Sequence, residues 1–283
     1  MQGNVAAIVV LYRPDESVPD NIVSYADQVT CVYAVDNSEA PDPDIRRRMQ
    51  ALPNVTLIAN GANLGIATAL NIGIRTAISH GYERLLTMDQ DSTATTGMLR
   101  ELSACMDSDP AIGLVSPVHQ QVGGVPRVVE PGCRDVLTAM TSGNLLRAAA
   151  YERVGGFMEE LFIDQVDNEF CLRLHRAGLK VMETGDAVLI HRVGDVRRHR
   201  FPYPAYSSNH SALRRYYIAR NRLVVGEMYR QEHPEFRAFE LSQMRKEVVK
   251  IVLYERHKYL KLKMVLRGIR DYRRGVLGEY PER

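Results

Sequence analysis

The chain has 283 residues and a mass of 31.9 kDa, a length that suits one large domain or two closely packed halves. Hydrophobic residues make up 45% of it, charged residues 25%, and the net charge is +2, which excludes disordered, collagen-like and coiled-coil chains. No run approaches the ~20 apolar residues of a membrane span, and no signal-peptide layout surrounds the apolar stretch over 4–11. Four scattered cysteines without a CxxC pair argue against a disulfide framework or a zinc knuckle, so we expect a soluble protein of the reducing cytoplasm.

Strand-like and helix-like segments alternate in the first half of the chain. The pattern predicts strands over 5–11, 29–35, 55–59, 84–88 and 112–117, and helices over 41–52, 64–79 and 97–106. Such alternation is typical of βαβ units and of a mostly parallel sheet covered on both faces. Ligands of these sheets bind beyond the carboxyl ends of the strands. Two polar clusters, Asp36-Asn37-Ser38 and Asp89-Gln90-Asp91, fall at those ends.

The second half has a different pattern. It predicts a hairpin or loop over 122–133, short helices over 148–154 and 167–176, and a strand over 181–190 that ends at His191. A polar, proline-bearing loop follows over 193–211. Most of 213–229 and 236–274 is predicted to be helical.

The C-terminal part carries an uneven charge. Residues 245–274 contain eleven Lys/Arg and three Asp/Glu, a local charge of +8, with apolar residues at helical spacing. Such a helix can lie on anionic lipid, which predicts peripheral membrane contact on the inner face of the cell membrane. The alternatives are a solvated helix docked on the body of the protein or on a homodimer partner. No nucleic-acid recognition motif accompanies the charge, so we expect no nucleic-acid partner.

The Asp89-Gln90-Asp91 cluster predicts a metal site. Two carboxylates just past an apolar strand suit Mg²⁺ or Mn²⁺ holding a diphosphate, although turns also favour Asp for backbone reasons. His191 follows another strand and could supply a third ligand, or serve a structural role.

Two further features have both functional and structural interpretations. Within Asp164-Gln165-Val166-Asp167-Asn168-Glu169, Asp167 can act as a general base or complement the dipole of a helix start. Asn63-Leu64-Gly65 opens a helix, where backbone amides can hold a phosphate or a nucleotide edge, or form a plain cap.

The ordered combination of these motifs resembles the family-2 inverting glycosyltransferases of the GT-A fold. Residues 162–173 and 216–221 most resemble the bacterial rhamnosyltransferase branch, and the resemblance covers roughly residues 4–225. The matching elements are Val9-Val10-Leu11-Tyr12, Asp36-Asn37-Ser38, Asn63-Leu64-Gly65, Asn71-Ile72-Gly73, Asp89-Gln90-Asp91, Ser142-Gly143-Asn144, Phe162 to Arg173 and Tyr216 to Asn221.

The resemblance implies an α/β GT-A fold, a Rossmann-like nucleotide-binding mixed sheet flanked by helices, with a C-terminal helical extension. It implies a donor-binding half over 1–117, an acceptor-binding and catalytic half over 118–211, and a basic helical extension over 212–283. The implied donor is dTDP-β-L-rhamnose, and the acceptor is a surface polysaccharide or lipid-linked sugar. A UDP-hexose or UDP-galactofuranose donor is the first alternative. A nucleotidyltransferase and a catalytically silent binding module remain as further alternatives.

The resemblance also assigns roles to residues. Asp36, beside Leu11 and Tyr12, would bind the nucleoside, and Asn63 and Gly65 would line the nucleotide pocket. Asp89 would bind the ribose or the metal, and Asp91 and His191 would coordinate the metal, Mn²⁺ or Mg²⁺. Arg220 would contact the donor phosphates. Asp167 matches the catalytic base. Val166 stands where the family has Glu, so Asp164 and Glu169 remain rivals for the role of base. The loop over 193–211 would close over the bound donor.

Overall fold

The computed structural model describes residues 4–121, 129–191, 197–199 and 205–281. Contacts divide the chain into two compact units. Unit 1 comprises Met1–Met158 and Asp167–Arg192, and unit 2 comprises Glu159–Val166 and Val193–Arg283. The functional division at 117 and 211 is a different partition and stays a prediction.

Unit 1 is a sheet with helices. Its strands are β1 Val5–Leu11, β2 Cys31–Asp36, β3 Val55–Ala59, β4 Arg84–Asp89, β5 Ser92–Ala94, β6 Ile112–Gln121, β7 Cys133–Asp135, β8 Asn144–Arg147 and β9 Lys180–His191. Its helices are α1 Val18–Ala26, α2 Pro43–Gln50, α3 Ile66–Ser79, α4 Met98–Asp107, α5 Ala148–Val154 and α6 Val166–Arg176, of which α6 begins with the last residue of a unit 2 segment.

The sheet is mixed, as the resemblance implied, rather than mostly parallel. Its order is β3-β2-β1-β4-β8-β6-β9-β5, and β7 also pairs with β9. Strands β3, β2, β1 and β4 are mutually parallel, β8 runs antiparallel between β4 and β6, and β6 is parallel to β9. In this register Leu11 lies opposite Asp36 and Val10 opposite Asp89. The carboxyl ends of β1, β2 and β4 therefore meet at one edge of the sheet.

Period-two alternation along β1 supplies both faces of the core. Val5, Val9 and Leu11 belong to a buried cluster that includes residues of α1, α2 and α4. On the other face Ile8 packs against α3, where a Cβ on Gly73 would lie 2.6 Å from Ile8 Cγ2. Only glycine allows this close approach of helix to strand.

Several elements of unit 1 differ from the sequence prediction. The helix α1 and the short strand β5 were not predicted. Cys105 and Cys133 form a disulfide, a pairing that the scattered positions of the four cysteines did not predict. The pairing arises because α4 and β7, which carry these residues, both pack against β9, a proximity that a separation of 28 residues does not reveal.

Unit 2 is largely helical. A 3-10 turn over Glu159–Leu161 precedes the antiparallel pair β10 Arg197–His199 and β11 Ala205–Ser207, followed by α7 Ala212–Met228, α8 Pro234–Tyr254 and α9 Lys258–Arg273. Part of the predicted loop over 193–211 is thus a strand pair, while 193–196 and 200–204, and with them most of the predicted lid, lie outside the described residues. The helix predicted over 236–274 is interrupted between α8 and α9, where His257 has a φ of 54°.

A small apolar cluster holds the helices of unit 2 together. Ala219 of α7, Ile251 of α8 and Val265 of α9 are its buried members. Within the ranges that the structure describes, none of the helices combines the length and hydropathy that crossing a membrane requires.

Candidate functional site

Two carboxylates and an imidazole form the centre of the candidate site in unit 1. Asp89 ends β4, Asp91 follows two residues later, and His191 ends β9. Strand β5 pairs with β9 so that Ser92 lies opposite His191, and this register brings the imidazole beside the acidic turn. His191 Nε2 lies 3.1 Å from Asp91 Oδ1 and 3.8 Å from Asp89 Oδ2. The structure thus brings the three predicted metal ligands together.

Side chains from other elements fix the backbone of this turn. The Tyr12 N–H donates to Gln90 Oε1 at 2.9 Å, and Gln90 Nε2 donates to the Tyr12 carbonyl at 3.2 Å. Asn21 Nδ2 of α1 donates to the Gln90 carbonyl, and the Asp89 N–H donates to Ser142 Oγ. The turn is therefore tied to β1, to α1 and to the segment before β8.

The electrostatics around the turn reflect its two carboxylates. The hydrogen bond to Asp91 raises the pKa of His191 above its ordinary value, against the opposing effect of burial. Burial raises the pKa of Tyr25 strongly, and the charge of Asp89 adds to that rise. The Tyr25 phenol therefore stays neutral, and the site as a whole attracts positive charge.

The donor set of this cluster fits a divalent metal ion. Asp89, Asp91 and His191 each offer one ligand atom, and these atoms all lie within 4.8 Å of one another. Carboxylate oxygens suit Mg²⁺ and Mn²⁺, and Mn²⁺ also accepts an imidazole nitrogen. The group could hold a metal ion, and the remaining coordination positions would be filled by water or by a ligand.

The second polar cluster lies at the end of the neighbouring strand β2. Asp36 is buried, its Oδ1 accepts from the Ser38 N–H at 3.0 Å, and its Oδ2 lies 3.9 Å from Arg46 Nε. Among the described residues, no hydrogen-bond donor reaches Asp36 Oδ2. A nucleoside contact by this carboxylate would require local opening, because the oxygen is covered.

Asn37 connects Asp36 to the start of α3. Its Nδ2 donates to Asn63 Oδ1 and to the Gly65 carbonyl, and its Oδ1 accepts from Asn60 Nδ2 and the Leu64 N–H. Gly65 has a φ of 82° and precedes the first residue of α3, a conformation that favours glycine. Asn63 and Gly65 thus shape the turn at the carboxyl edge of the sheet, and their part in a nucleotide pocket stays a prediction.

The two predicted residues from β1 are placed differently from each other. Leu11 is completely buried in the core, so its side chain cannot face a nucleoside, and this corrects the sequence prediction for that side chain. Tyr12 is 37% exposed, and its hydroxyl donates to Glu39 at 3.3 Å. The exposed ring of Tyr12 remains a candidate ligand contact.

The predicted base Asp167 is the second residue of α6 and partly exposed. Its Oδ1 accepts from the Asn168 N–H at 2.8 Å. It lines a small pocket together with Thr87, Leu114, Thr141, Asn144, Leu146, Phe157, Phe170 and Cys171. Burial raises the pKa of Cys171 to about 12, so this thiol stays protonated at neutral pH and is a poor nucleophile.

The Ser142-Gly143-Asn144 segment connects the acidic turn to this pocket. Ser142 binds the backbone of Asp89, and Asn144 lines the pocket with Asp167. Gly143 between them has a φ of 80°, and a Cβ there would lie 2.7 Å from Pro117 Cγ. The three residues therefore join the metal-ligand cluster to the predicted base within unit 1.

The rivals for the base are held in ion pairs. Glu169 is almost fully buried and accepts from Arg173 Nε at 3.0 Å and Nη2 at 2.6 Å. Asp164, in unit 2, pairs with Arg214 at 3.1 Å, and burial raises its pKa although Arg214 opposes the rise. Glu169 in particular has both carboxylate oxygens committed to an arginine.

Arg220 is the predicted site residue whose placement disagrees with its role. It is completely buried in unit 2, and its guanidinium donates to the carbonyls of Gly278, Glu160 and Leu161. These bonds consume the donors that a phosphate would need. The structure therefore gives Arg220 a structural role in place of the predicted phosphate contact.

Sequence reasoning missed the residues that hold the site in place. Gln90, Ser142 and Asn37 lay inside motifs that were recognised, yet no role was assigned to them. Asn21 and His119 lie in no motif that would mark them as part of the site. The Asn21 amide donates to the Gln90 carbonyl, and His119 Nε2 donates to the Ser142 carbonyl at 2.7 Å. Their contribution depends on tertiary contacts, which spacing along the chain does not report.

With this geometry in view, comparison with known proteins identifies the class. Residues 7–137 match the sequence model of the family described as Glycosyl transferase family 2. The chain is a glycosyltransferase, and its mixed sheet with flanking helices is the GT-A fold.

The name of one relative specifies a nucleotide and a sugar. The chain is 28% identical to the dTDP-rhamnosyl transferase RfbF of Shigella flexneri, over 80% of this chain and 80% of that protein. The resemblance to the rhamnosyltransferase branch is thereby supported.

Solved structures share the fold at low identity. S. aureus TarS 1-349 in complex with UDP-GlcNAc has a TM-score of 0.65 and 16% identity, covering 96% of this chain and 81% of that chain. GalNAc-T7 with UDP, GalNAc and Mn²⁺ has a TM-score of 0.59 and 12% identity, covering 67% of this chain but only 44% of that chain.

Replacing Arg220 tests its structural role. Arg220→Ala should lower the free energy of unfolding by about 2–4 kcal/mol, because it leaves buried carbonyls without donors. Urea unfolding followed by circular dichroism measures this loss. Arg230→Ala, at an exposed arginine just beyond α7, is the control and should change stability by less than about 0.5 kcal/mol. Unchanged stability with weakened nucleotide binding would restore the phosphate-contact interpretation.

Replacing Asp91 tests the metal-ligand cluster. Asp91→Ala should weaken Mn²⁺ binding by about tenfold or more, since even partners behind the ligands change metal affinity by that much. Free Mn²⁺ measured by electron paramagnetic resonance reports the affinity. Asp20→Ala removes a carboxylate that is 80% exposed on α1 and should leave binding unchanged. Equal affinity of Asp91→Ala and the unmodified protein would exclude Asp91 as a ligand.

Proposed function

We propose that this protein is an inverting glycosyltransferase that moves L-rhamnose from dTDP-β-L-rhamnose to a hydroxyl of a cell-surface polysaccharide or lipid-linked sugar. The observation that carries the proposal is the Asp89, Asp91 and His191 cluster at the carboxyl edge of the sheet. A diphosphate leaving group is negatively charged, and a divalent cation bound by this cluster would stabilise that charge. The rhamnosyl transferase relative supports the choice of sugar.

A UDP-sugar donor is the second candidate. The structural similarity to S. aureus TarS 1-349, solved in complex with UDP-GlcNAc, favours it. The two candidates differ in the base and sugar of the donor and share the rest of the chemistry.

The nucleoside would bind at the ends of β1 and β2. The exposed Tyr12 ring offers a stacking surface, and Asp36 would accept an N–H of the base once the cover over its Oδ2 opens. The turn that Asn37 organises between Asn63 and Gly65 supports this edge of the sheet.

Asp167 would act as the general base. Its carboxylate takes the proton of the acceptor hydroxyl while that oxygen forms a bond to the anomeric carbon. The bond from this carbon to the diphosphate oxygen breaks on the opposite face, so the configuration inverts and a nucleoside diphosphate leaves. The support for Asp167 over Glu169 is that the Glu169 oxygens are already bonded to Arg173.

Asp89, Asp91 and His191 would hold Mn²⁺ or Mg²⁺. When bound, the ion offsets the charge that develops on the leaving diphosphate. Ser142, Gln90 and Asn21 keep the backbone of this turn in place. Such preorganisation avoids the cost of reordering the ligands during the reaction.

A panel of sugar nucleotides tests the donor. We expect metal-dependent release of dTDP from dTDP-β-L-rhamnose, measured as nucleoside diphosphate formed with Mn²⁺, with Mg²⁺ and with a chelator. UDP-GlcNAc and UDP-galactofuranose are the comparison donors. Faster release of UDP would replace the donor and keep the mechanism. Binding of no sugar nucleotide, with either metal, would overturn the proposed function.

Asp167→Asn tests the base. We expect kcat to fall by about 100-fold or more, the contribution of a general base, while the Kd of the donor nucleotide stays within a factor of two or so. Calorimetry gives the Kd and a coupled assay gives kcat. Asp20→Asn is the matched control on α1, and Glu169→Gln tests the rival. Full activity of Asp167→Asn would exclude this assignment.

A further inference from the structure

Unit 2 separates the charges of residues 245–274, which we call the basic segment and which the structure describes completely. Its acids point inward. Glu255 is buried and pairs with Arg215 and with Lys261, and Glu247 also pairs with Arg215 at 2.8 Å. Asp271 is only 2% exposed. Asp271 contacts Arg267 at 2.9 Å and Arg270 at 3.7 Å, and the Glu247 side chain is 25% exposed, so little carboxylate surface of the basic segment faces the solvent.

The cations of the basic segment point outward. Lys261 is the buried exception, held by Glu255. The exposed members are Arg245, Lys246, Arg256, Lys258, Lys263, Arg270, Arg273 and Arg274. The outer surface of α8, α9 and the turn between them thus carries far more positive charge than the net charge of the chain suggests.

Large apolar side chains are exposed among these cations. Tyr259 is 82% and Leu266 67% exposed on α9, and Val252 and Leu253 are exposed at the end of α8. Tyr259, Lys263, Leu266, Arg270 and Arg273 recur at spacings of four and three residues, so they form one stripe along α9. Exposed apolar side chains concentrated in one place mark an interaction surface.

We propose that the basic segment docks this protein on an anionic lipid surface. Lys263, Arg270 and Arg273 would lie against the headgroups, while Tyr259 and Leu266 enter the interface between headgroups and acyl chains. Basic helices with aromatic and aliphatic side chains bind membranes in this way. The proposal does not depend on the identity of the sugar donor.

The charge pattern favours lipid over the other occupants. A symmetric dimer through this stripe would bring the same cations of two copies together, and like charges would repel. A single-stranded nucleic acid would call for several aromatic stacking surfaces, whereas Tyr259 is the one aromatic side chain of the stripe.

Flotation of the full chain with vesicles tests the proposal. We expect it to float with vesicles that contain phosphatidylglycerol and to remain behind with vesicles of phosphatidylcholine alone. Raising the salt from about 0.1 M to about 1 M should release the protein, because the Debye length falls from ~10 Å to ~3 Å.

Surface variants locate the contact. Lys263→Glu combined with Arg270→Glu should weaken the vesicle partition at least about 25-fold, which is about fivefold for each cation lost. Tyr259→Ser combined with Leu266→Ser tests the apolar part and should also reduce flotation. Arg47→Glu with Arg100→Glu makes the same charge change on α2 and α4, and Val23→Ser removes an exposed apolar side chain from α1. Both controls should float like the unmodified protein.

Three results would overturn the proposal. One is equal flotation with anionic and neutral vesicles, and another is unchanged flotation of the Lys263→Glu, Arg270→Glu variant. The third is that the unmodified protein does not bind vesicles but forms a dimer or an oligonucleotide complex, and that the stripe variants abolish this complex. Light scattering and an oligonucleotide shift assay detect these two occupants, and circular dichroism verifies that each variant is folded.

Discussion

The site depends on the pairing between the Gln90 side chain and the backbone of Tyr12. The ladder between β1 and β4 ends at Val10 opposite Asp89, and the Gln90 amide then supplies both a donor and an acceptor to Tyr12, the residue just after β1. A side chain thereby continues the pairing beyond the last strand residues. The Gln90 side chain is directed at Tyr12, whereas the carboxylates on either side of it, Asp89 and Asp91, lie beside His191. Loss of this pairing would leave the turn, which carries two of the three candidate metal ligands, held by Asn21 and Ser142.

Unit 2 shows how the cost of buried charge shapes a surface. Arg215 is almost fully buried, as are Glu255 and Lys261, and an unpaired charge in such a place would be strongly destabilising. Glu247 of α8 and Glu255, which follows that helix, therefore pair with Arg215, and Glu255 also pairs with Lys261. Most of the other lysines and arginines of the basic segment are exposed, and two arginines of α9, Arg267 and Arg270, contact Asp271. The positive surface is thus a consequence of internal pairing as well as of composition.

The sequence allowed the sheet and the acidic cluster to be predicted because both have local signals. Strands over 5–11 and 55–59 match the apolar runs, and Asp89 and Asp91 follow a strand end where ligands bind. The misplaced residues depend on burial, which has no local signal. Arg220 has the same sequence signature whether its guanidinium meets a phosphate or three carbonyls, and Leu11 looks alike on either face of a strand. The helix α1 did carry a helical pattern in Val18, Ile22 and Tyr25, and it could have been predicted.

The buried Arg220 and Asn221 explain why a strained segment persists before α6. Phe162, Asp164 and Gln165 all have positive φ, which costs free energy for residues other than glycine. Asn221 Nδ2 lies within hydrogen-bond distance of the carbonyls of Leu161, Ile163 and Asp164, and Gln165 donates to Glu240. Several bonds therefore hold one backbone path that few residues would adopt alone.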